Sequence, residues 1–492
     1  MHQGTNRRSL SSSHLVAATL ASLLPAITAG CGGGGGAPSS STPTFSGNTN
    51  VTLLATSTAN DTFWQLTAVL QSLTLTDQSG KTVAVLSSPV VDEFMHLNGN
   101  VEPLATVSIP QGVYTGATLT VEVAFVECTE QDQGEIYTDQ IVFMPAPGPV
   151  TVNLPQSITV TGTAMGLALN LQVSQSVPPI GSCAALPTPI SIVGNPVFTL
   201  APVPLASQST NSGNGKMMGL VGITKAIAGN SMSVSSLWRV NGGPPASPAW
   251  QFQLDSKTVF QGISGGSQLA AGLLIEMDAA VQPDGSLLAT RVDVLDTSPS
   301  NLSAAFGFLM SPYNRLSGTD VLVEESSLNQ APFMYGFGSA QFRMSGQFTN
   351  LQSLPFTPKF DSTSFAWGQN VLISSHAGGN GPWPVPMPTT TATLVPQTVD
   401  GVVTAVASEG SFTTYTINLA PYDLFPNLDV QPQEPTLVVN PGTIVVYADN
   451  NTQLNNTAAP TVGHTARFYG LVFNDGGTLR MDCAQISSGV QQ

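Results

Sequence analysis

The sequence predicts an all-β protein: an N-terminal β-sandwich followed by three tandem small β-barrel modules. Three observations predict it. Runs of Val, Thr, Leu and Phe alternate with period two between turn clusters, in a chain of 492 residues with 47 glycines and 37 prolines. Only one or two short stretches carry helical spacing, none as long as about four turns. A glycine followed twelve residues later by a hairpin turn recurs at intervals of about 95 residues. Hydrophobic residues make up 41% of the chain and charged ones 9%, which leaves enough apolar surface to fill several cores.

The chain opens with Arg7 and Arg8, an apolar run from Leu15 to Ile27, and Thr28-Ala29-Gly30 ahead of Cys31. A basic head, an apolar stretch of about 7–15 residues and small residues at the cut make a secretory signal. A cysteine at the cut resembles the bacterial lipoprotein signal, in which that cysteine becomes the first mature residue and carries the lipid. The resemblance implies a signal peptide over 1–30, lipidation of Cys31, and a mature chain outside the cytoplasm, held at the bacterial cell envelope by its lipid. Thr28 stands where such signals usually carry Leu, and an ordinary secretory signal is the rival reading. Gly32 to Gly36 and the Ser/Thr/Pro run to Pro43 read as a tether over 31–49. Beyond Ile27 no apolar run approaches the ~20 residues of a membrane-spanning helix, so the expectation is an anchored chain rather than an embedded one.

Charge narrows the partners. The formal net charge is −16. Removal of residues 1–30, which hold two arginines and no acid, would make it −18. Phosphate backbones would repel such a chain, so nucleic acid is excluded as an expected partner. The expected partners are the membrane, through the N-terminal lipid, and a glycan or another envelope protein.

Residues 50–205 read as one β-sandwich. Alternation runs through Phe63 to Leu70, Leu73 to Thr76 and Ala117 to Phe125, with turn signals at Asp77-Gln78-Ser79-Gly80, Asn98-Gly99-Asn100 and Pro147-Gly148-Pro149. Ile109-Pro110-Gln111-Gly112-Val113-Tyr114 turns the chain into a strand. Cys128 and Cys183 fall in this region, and an oxidising envelope permits a disulfide between them; two buried thiols are the alternative. Cys483, in alternating strand sequence, reads as a buried thiol.

The remainder reads as three copies of one unit, over 206–298, 299–399 and 400–492. Gly272, Gly368 and Gly463 precede apolar strands, and Asp284-Gly285, Asn380-Gly381 and Asp475-Gly476 follow as hairpin turns. The openings align Gly219, Gly307 and Gly401. Upstream, Asp255 to Thr258 resembles Asp361 to Ser364, and Val439 to Ile444 is the looser third counterpart. Each unit is expected to have five or six strands, to close into a barrel and to bury its own core.

This layout is similar to uncharacterised envelope lipoproteins built from domains of unknown function. One such family supplies a sandwich with a Pro-x-Gly-x-Tyr turn into a strand, matching Pro110, Gly112 and Tyr114. Another supplies tandem barrels with an opening glycine, Asp-x-x-Thr and a closing Asp-Gly, matching Gly219, Asp255, Thr258, Asp284 and Gly285. Neither family brings an active site to carry over.

Signs of chemistry are sparse. His96, His376 and His464 are far apart, with no zinc spacing, and each reads as a packed or surface residue. Gly262-Ile263-Ser264-Gly265-Gly266 fits a nucleophile-elbow pattern in letters but reads as a Gly-rich turn. Glu127, Glu130, Asp132, Glu135 and Asp139 read as a solvated loop, with calcium as the functional alternative; Asp449-Asn450-Asn451 is a weaker case. Trp64 and Trp367 read as core, while Trp383, in a Pro-rich loop, is the candidate for an exposed sugar platform. No catalytic, cofactor or metal residue is assigned. The expected role is non-catalytic binding or structure at the envelope; the alternative is a glycan-active hydrolase with acidic catalytic residues.

Overall fold

The computed structural model describes residues 45–488 except 59–62, 133–134, 145–148, 177–189, 194–195, 204–214, 238–248, 311–318, 329–333, 346–350, 378–385, 422, 428–441 and 456. The fold is all-β, and the two short α-helices, Val173–Ser176 and Leu424–Asn427, are single turns. Cys31, its tether as far as Thr44, Cys183, Trp383 and the Asn380-Gly381 turn lie outside the described residues, and the tether ends earlier than its expected bound of 49, because the first strand starts at Asn48.

Two sheets form the N-terminal sandwich. The smaller orders Phe198–Val203, Ala164–Leu171, Asn48–Ser57 and Glu102–Pro110 side by side, with Asn48–Ser57 parallel to Ala164–Leu171. The larger is built on Gly112–Asp132 and Phe63–Asp77, joined by Thr82–Leu86, Val90–Glu93 and Glu135–Met144 among others. Alternation sends one face of each sheet inward, so that Val51, Leu53, Leu70, Leu75, Leu119 and Leu169 share one core. The Tyr114 hydroxyl donates to the Pro110 carbonyl at 2.8 Å, pinning the turn that the Pro-x-Gly-x-Tyr motif marks. The acidic segment expected as a loop is instead largely strand. Glu127, Glu130 and Asp132 lie on one arm of a hairpin, opposite Glu135 and Asp139 on the other. Their side chains, and that of Cys128, lie outside the description.

Three further sheets share one strand order. In ring one, Lys216–Ala228 pairs with Ser231–Ser236, that strand with Ala249–Gln253, that with Leu287–Asp296, and that with Leu274–Val281, which returns to the first strand. Five strands cannot alternate direction all the way round a closed ring, so one pair must run parallel. That pair is Ala249–Gln253 with Leu287–Asp296. Ring three repeats the order with Gln397–Glu409, Phe412–Leu419, Thr443–Ala448, Thr478–Ser488 and Thr465–Asp475, its parallel closure joining Ile444 to Leu479. In ring two the last strand is split into Met387–Pro388 and Thr391–Leu394. Between the halves, Thr389 donates its amide to Gly336 and Thr390 donates to Ser374.

Backbone geometry repeats with the order. Gly272, Gly368 and Gly463 have φ of 87°, 93° and 89°, a region that other residues enter only under strain. Their amides donate to Thr224, Leu309 and Val403 at 2.7, 2.8 and 2.8 Å, one bond made three times.

Three alignments read from the sequence need correction. Gly307 and Gly401 correspond to Gly222, not Gly219. Each of the three pairs with the residue three places after the positive-φ glycine, namely Val371, Ala466 and Ile275. A Cβ at any of them would collide with a backbone oxygen of the next strand (Ser235, Leu322 or Asn418), so close strand contact requires glycine there. The third counterpart of Asp255-x-x-Thr258 is Asp449-x-x-Thr452. In both, the Asp amide meets the Thr hydroxyl, at 3.0 and 2.9 Å, and that hydroxyl donates to a strand carbonyl, Ala289 at 2.8 Å or Cys483 at 2.9 Å. Ring two places Phe337 to Ala340 at this corner, immediately before its side strand Gln341–Met344. Asp361 to Ser364 makes a similar local turn later, in the longer connection to Gly368. The third hairpin turns through Gly476-Gly477, both at positive φ, between paired Asp475 and Thr478.

The units are not self-contained. The described residues from Phe45 onward form one compact unit. Leu274 and Leu295 of ring one pack with Phe306 and Leu372 of ring two, and Leu471 and Phe473 of ring three enter the core of ring two. Polar bonds cross too: the Arg343 guanidinium donates to the carbonyls of Val294 and Leu295 at 2.9 Å, and the Gln369 amide donates to Val472 at 2.8 Å.

Candidate functional site

The sandwich and all three rings meet around a cavity of about 60 Å³, partly open to solvent. The sandwich supplies His96, Asn98 and Glu102, ring one Met218 and Gly219, ring two Phe306 and Glu325, and ring three Thr398 and Tyr469. The sandwich side of the wall is made locally. Val90–Glu93 is buried along its whole length against Phe63–Asp77, so Asp92 and Glu93 are carried inward with the apolar residues beside them. Tight turns follow, Asn98 donating its amide to Met95 and Asn100 donating to Leu97, and Glu102 then begins the next strand.

His96 is the centre of the polar wall. Its Nδ1 lies 3.0 Å from Glu93 and 3.4 Å from Glu325, and its Nε2 lies 3.2 Å from Glu102. Glu93 also accepts the backbone amides of Leu66, Met95 and His96 at 2.8–3.0 Å. The ring of His96 meets Phe306 edge-on at 6.2 Å. Burial alone would lower the imidazole, but the Glu325 charge and the hydrogen bonds to Glu102 and Glu93 hold it well above 6.5. Burial pushes Glu325 up to about 7 against the attraction of His96. Burial and the neighbouring Glu102 charge raise Asp92. Against its own burial, Glu102 is lowered by hydrogen bonds from Asp92 and His96, so the two carboxyls act as a pair sharing a proton.

A second buried cluster lies at the boundary of rings one and three. Arg291 grips Glu276 with two bonds of 2.7 and 2.6 Å and Asp278 with two of 2.8 and 3.0 Å. Asp278 also accepts the Gly219 amide at 3.0 Å, and Tyr469 packs with its hydroxyl against Gly219. Burial first, then the charges of Glu276 and Asp278, raise the Tyr469 phenol well above its usual range. This bidentate arrangement leaves Arg291 no free fork for a ligand. It joins units.

The other histidines stand as packed or surface residues. His376 bridges Asp296 and Ser300 at 3.0 and 2.9 Å, and His464 meets the Thr461 hydroxyl at 2.7 Å. Cys483 is a buried free thiol whose pKa is raised by burial. Trp367 packs partly buried against the core of ring two, and the side chain of Trp64 is outside the description. Gly262 to Gly266 is a turn before a one-turn 3-10 helix, with the Ser264 amide donating to Gln268. The Asp449 carboxylate caps its own turn through Asn451 and Thr452. Among the described residues no group of three or more His, Cys, Asp or Glu side chains is arranged to hold a metal ion.

The sequence reading took His96 for a packed or surface residue and named none of its carboxylate partners. The signal was present. In a chain with 9% charged residues, Val90-Val91-Asp92-Glu93-Phe94 and Val321-Leu322-Val323-Glu324-Glu325 set acids inside apolar strands, where an acid without a partner would be expensive.

A family model described as a domain of unknown function (DUF5666) matches residues 222–293, from the close-contact Gly222 of ring one to Asp293 in its last strand. No curated protein matches the chain.

Proposed function

We propose that this is a lipid-anchored protein of the bacterial cell envelope with a non-catalytic role in binding or structure. The anchoring part rests on the segment ending at Cys31. The observation that carries the rest is convergence: four units of one compact body close around an acidic cavity, with ion pairs such as His96–Glu325 and Arg343–Asp293 and shared apolar contacts fixing one unit to the next. Such a body suits a rigid scaffold that presents or holds something.

The second reading is a glycan hydrolase with acidic catalytic residues; its nearest candidates, Asp92 and Glu102, are hydrogen-bonded to each other, closer than the roughly 5 Å or more that separates glycosidase carboxyls. Size weighs against it. A cavity of about 60 Å³ offers roughly four to six water-sized positions, whereas a hexose has roughly a dozen non-hydrogen atoms.

Two experiments test the proposal. Wild-type protein should take up a fatty-acid probe and partition into detergent, and Cys31→Ser should do neither; a soluble wild-type protein starting elsewhere would reject the anchor. A glycan-binding array run beside a glycan-hydrolysis screen separates the roles. Turnover that is lost in Asp92→Asn or Glu102→Gln would replace the binding reading with the hydrolase.

A further inference from the structure

We propose that the central cavity binds a small primary ammonium ion, an alkylamine of about four to six non-hydrogen atoms. This rests on the binding part of the reading above and is independent of the anchor.

Charge is the first reason. Asp92, Glu93, Glu102, Glu324 and Glu325 gather in and behind the wall, all buried, and the one basic side chain among them is His96. Both nitrogens of that imidazole already face carboxylates. Among the described residues no Lys or Arg lines the cavity. Arg467, which packs against Gly99, is engaged with Asp400 at 3.3 Å, and Arg291 with Glu276 and Asp278. Buried carboxyl groups in such excess over basic side chains favour a bound cation, even with a proton shared between Asp92 and Glu102.

Donor chemistry is the second. Asn98 lines the cavity and is 5% exposed. Its amide nitrogen donates to Asp400 at 3.2 Å, while its buried Oδ1 has no hydrogen-bond partner among the described residues. Carboxylates and an amide oxygen form a set of acceptors. An ammonium group, with three donors and no acceptor, is its complement. A divalent ion fits less well, because the described acids and His96 do not converge as metal ligands.

The apolar part of the lining selects the rest of the ligand. Met95, Met218, Leu220, Phe306, Phe308 and Val395 face the same space and suit a short alkyl chain, with aromatic rings near the charge. The volume sets the length at roughly four to six atoms.

The test is calorimetric titration of the full-length protein in detergent with butylammonium, using 1-butanol and calcium as comparison probes. The expected result is one saturable site with Kd of about 1 mM or tighter, and butanol at least about tenfold weaker. Asn98→Ala and Glu325→Gln should each weaken butylammonium about tenfold or more. Met218→Trp fills the space without changing charge and should abolish binding, so the proposal does not depend on either polar variant folding. Equal binding of butanol, no saturation by about 50 mM butylammonium, or calcium binding more tightly at the same residues would each overturn it. A negative result here beside a positive glycan array would leave the binding reading standing; hydrolysis in the screen would remove that reading whatever the titration gave.

Discussion

His96 of the sandwich and Glu325 of ring two stand 3.4 Å apart across the boundary between their units. Both hold protons more tightly in the folded protein than in the unfolded chain. Glu325 rises from 4.5 to about 7, so between those values the folded state keeps a proton the unfolded chain has released. Stability therefore falls as pH climbs through that window. His96, raised above 6.5, contributes fully below 6.5 and loses its contribution as pH passes its folded value. Burial raises Glu276 of ring one to about 7 as well, so urea unfolding should give the highest stability near pH 5 and a decline by pH 8 to which Glu325 contributes roughly 2–3 kcal/mol. Glu325→Gln should remove that share and leave the rest, and a stability that rises over the same range would contradict the assignment.

Arg291 is the residue whose loss should be felt most. Arg291→Met leaves Glu276 buried and Asp278 half-buried without their counter-charge, which should cost about 3–5 kcal/mol in denaturant unfolding. Arg291→Met combined with Glu276→Gln should recover part of the loss, because the remaining uncompensated charge is smaller. Equal loss in the single and double variants would show that packing, and not charge, is what Arg291 contributes to ring one.

The three positive-φ glycines separate backbone strain from crowding. A Cβ on Gly463 meets nothing within 4 Å, so Gly463→Ala should cost about 1–2 kcal/mol from φ alone. At Gly272 the added carbon lies 2.6 Å from Pro299, and at Gly368 it lies 3.1 Å from Phe425. Gly272→Ala should therefore be the most destabilising of the three, with Gly368→Ala between. Thermal unfolding of the three variants checks the order.

Cys128 and Cys183, if joined in the envelope, close a loop of over fifty residues and add about 3–4 kcal/mol. Non-reducing peptide mapping should find them linked. Two alkylatable thiols in the unfolded, unreduced protein would remove the bridge.

What could be read from the sequence was local. Gly272, Gly368 and Gly463 announced themselves because a positive φ before a strand admits few other residues, and the period-two runs gave the sandwich and the rings. Gly222 was hidden beside Gly219: both are glycines, and only the pairing with Ile275 shows which one allows the close strand contact. The Asp449 corner was missed because the connection before it differs in length from that in ring one. Asp361 to Ser364 misled for the converse reason, since an Asp followed three residues on by a hydroxyl stabilises a turn wherever it falls. The acidic wall could not be assembled from the sequence at all. His96 and Glu325 are 229 positions apart, and only the docking of sandwich on ring brings them together.

The sharing of apolar surface between units gives chain synthesis an order of risk. Ribosomes deliver the sandwich and ring one first, when the partners of Leu274 and Leu295 do not yet exist, and Met218 has to wait for Tyr469 near the far end. A half-made chain thus carries sticky patches that the finished molecule hides, and its exposure lasts as long as translation of the remaining two hundred or so residues, about 10–40 s at typical rates. A chaperone that shields early segments, or a protease that samples them, would act within that interval. Stalling between Asp296 and Ser303 should give the most aggregation-prone nascent chain, since ring one is then complete and its neighbours are missing.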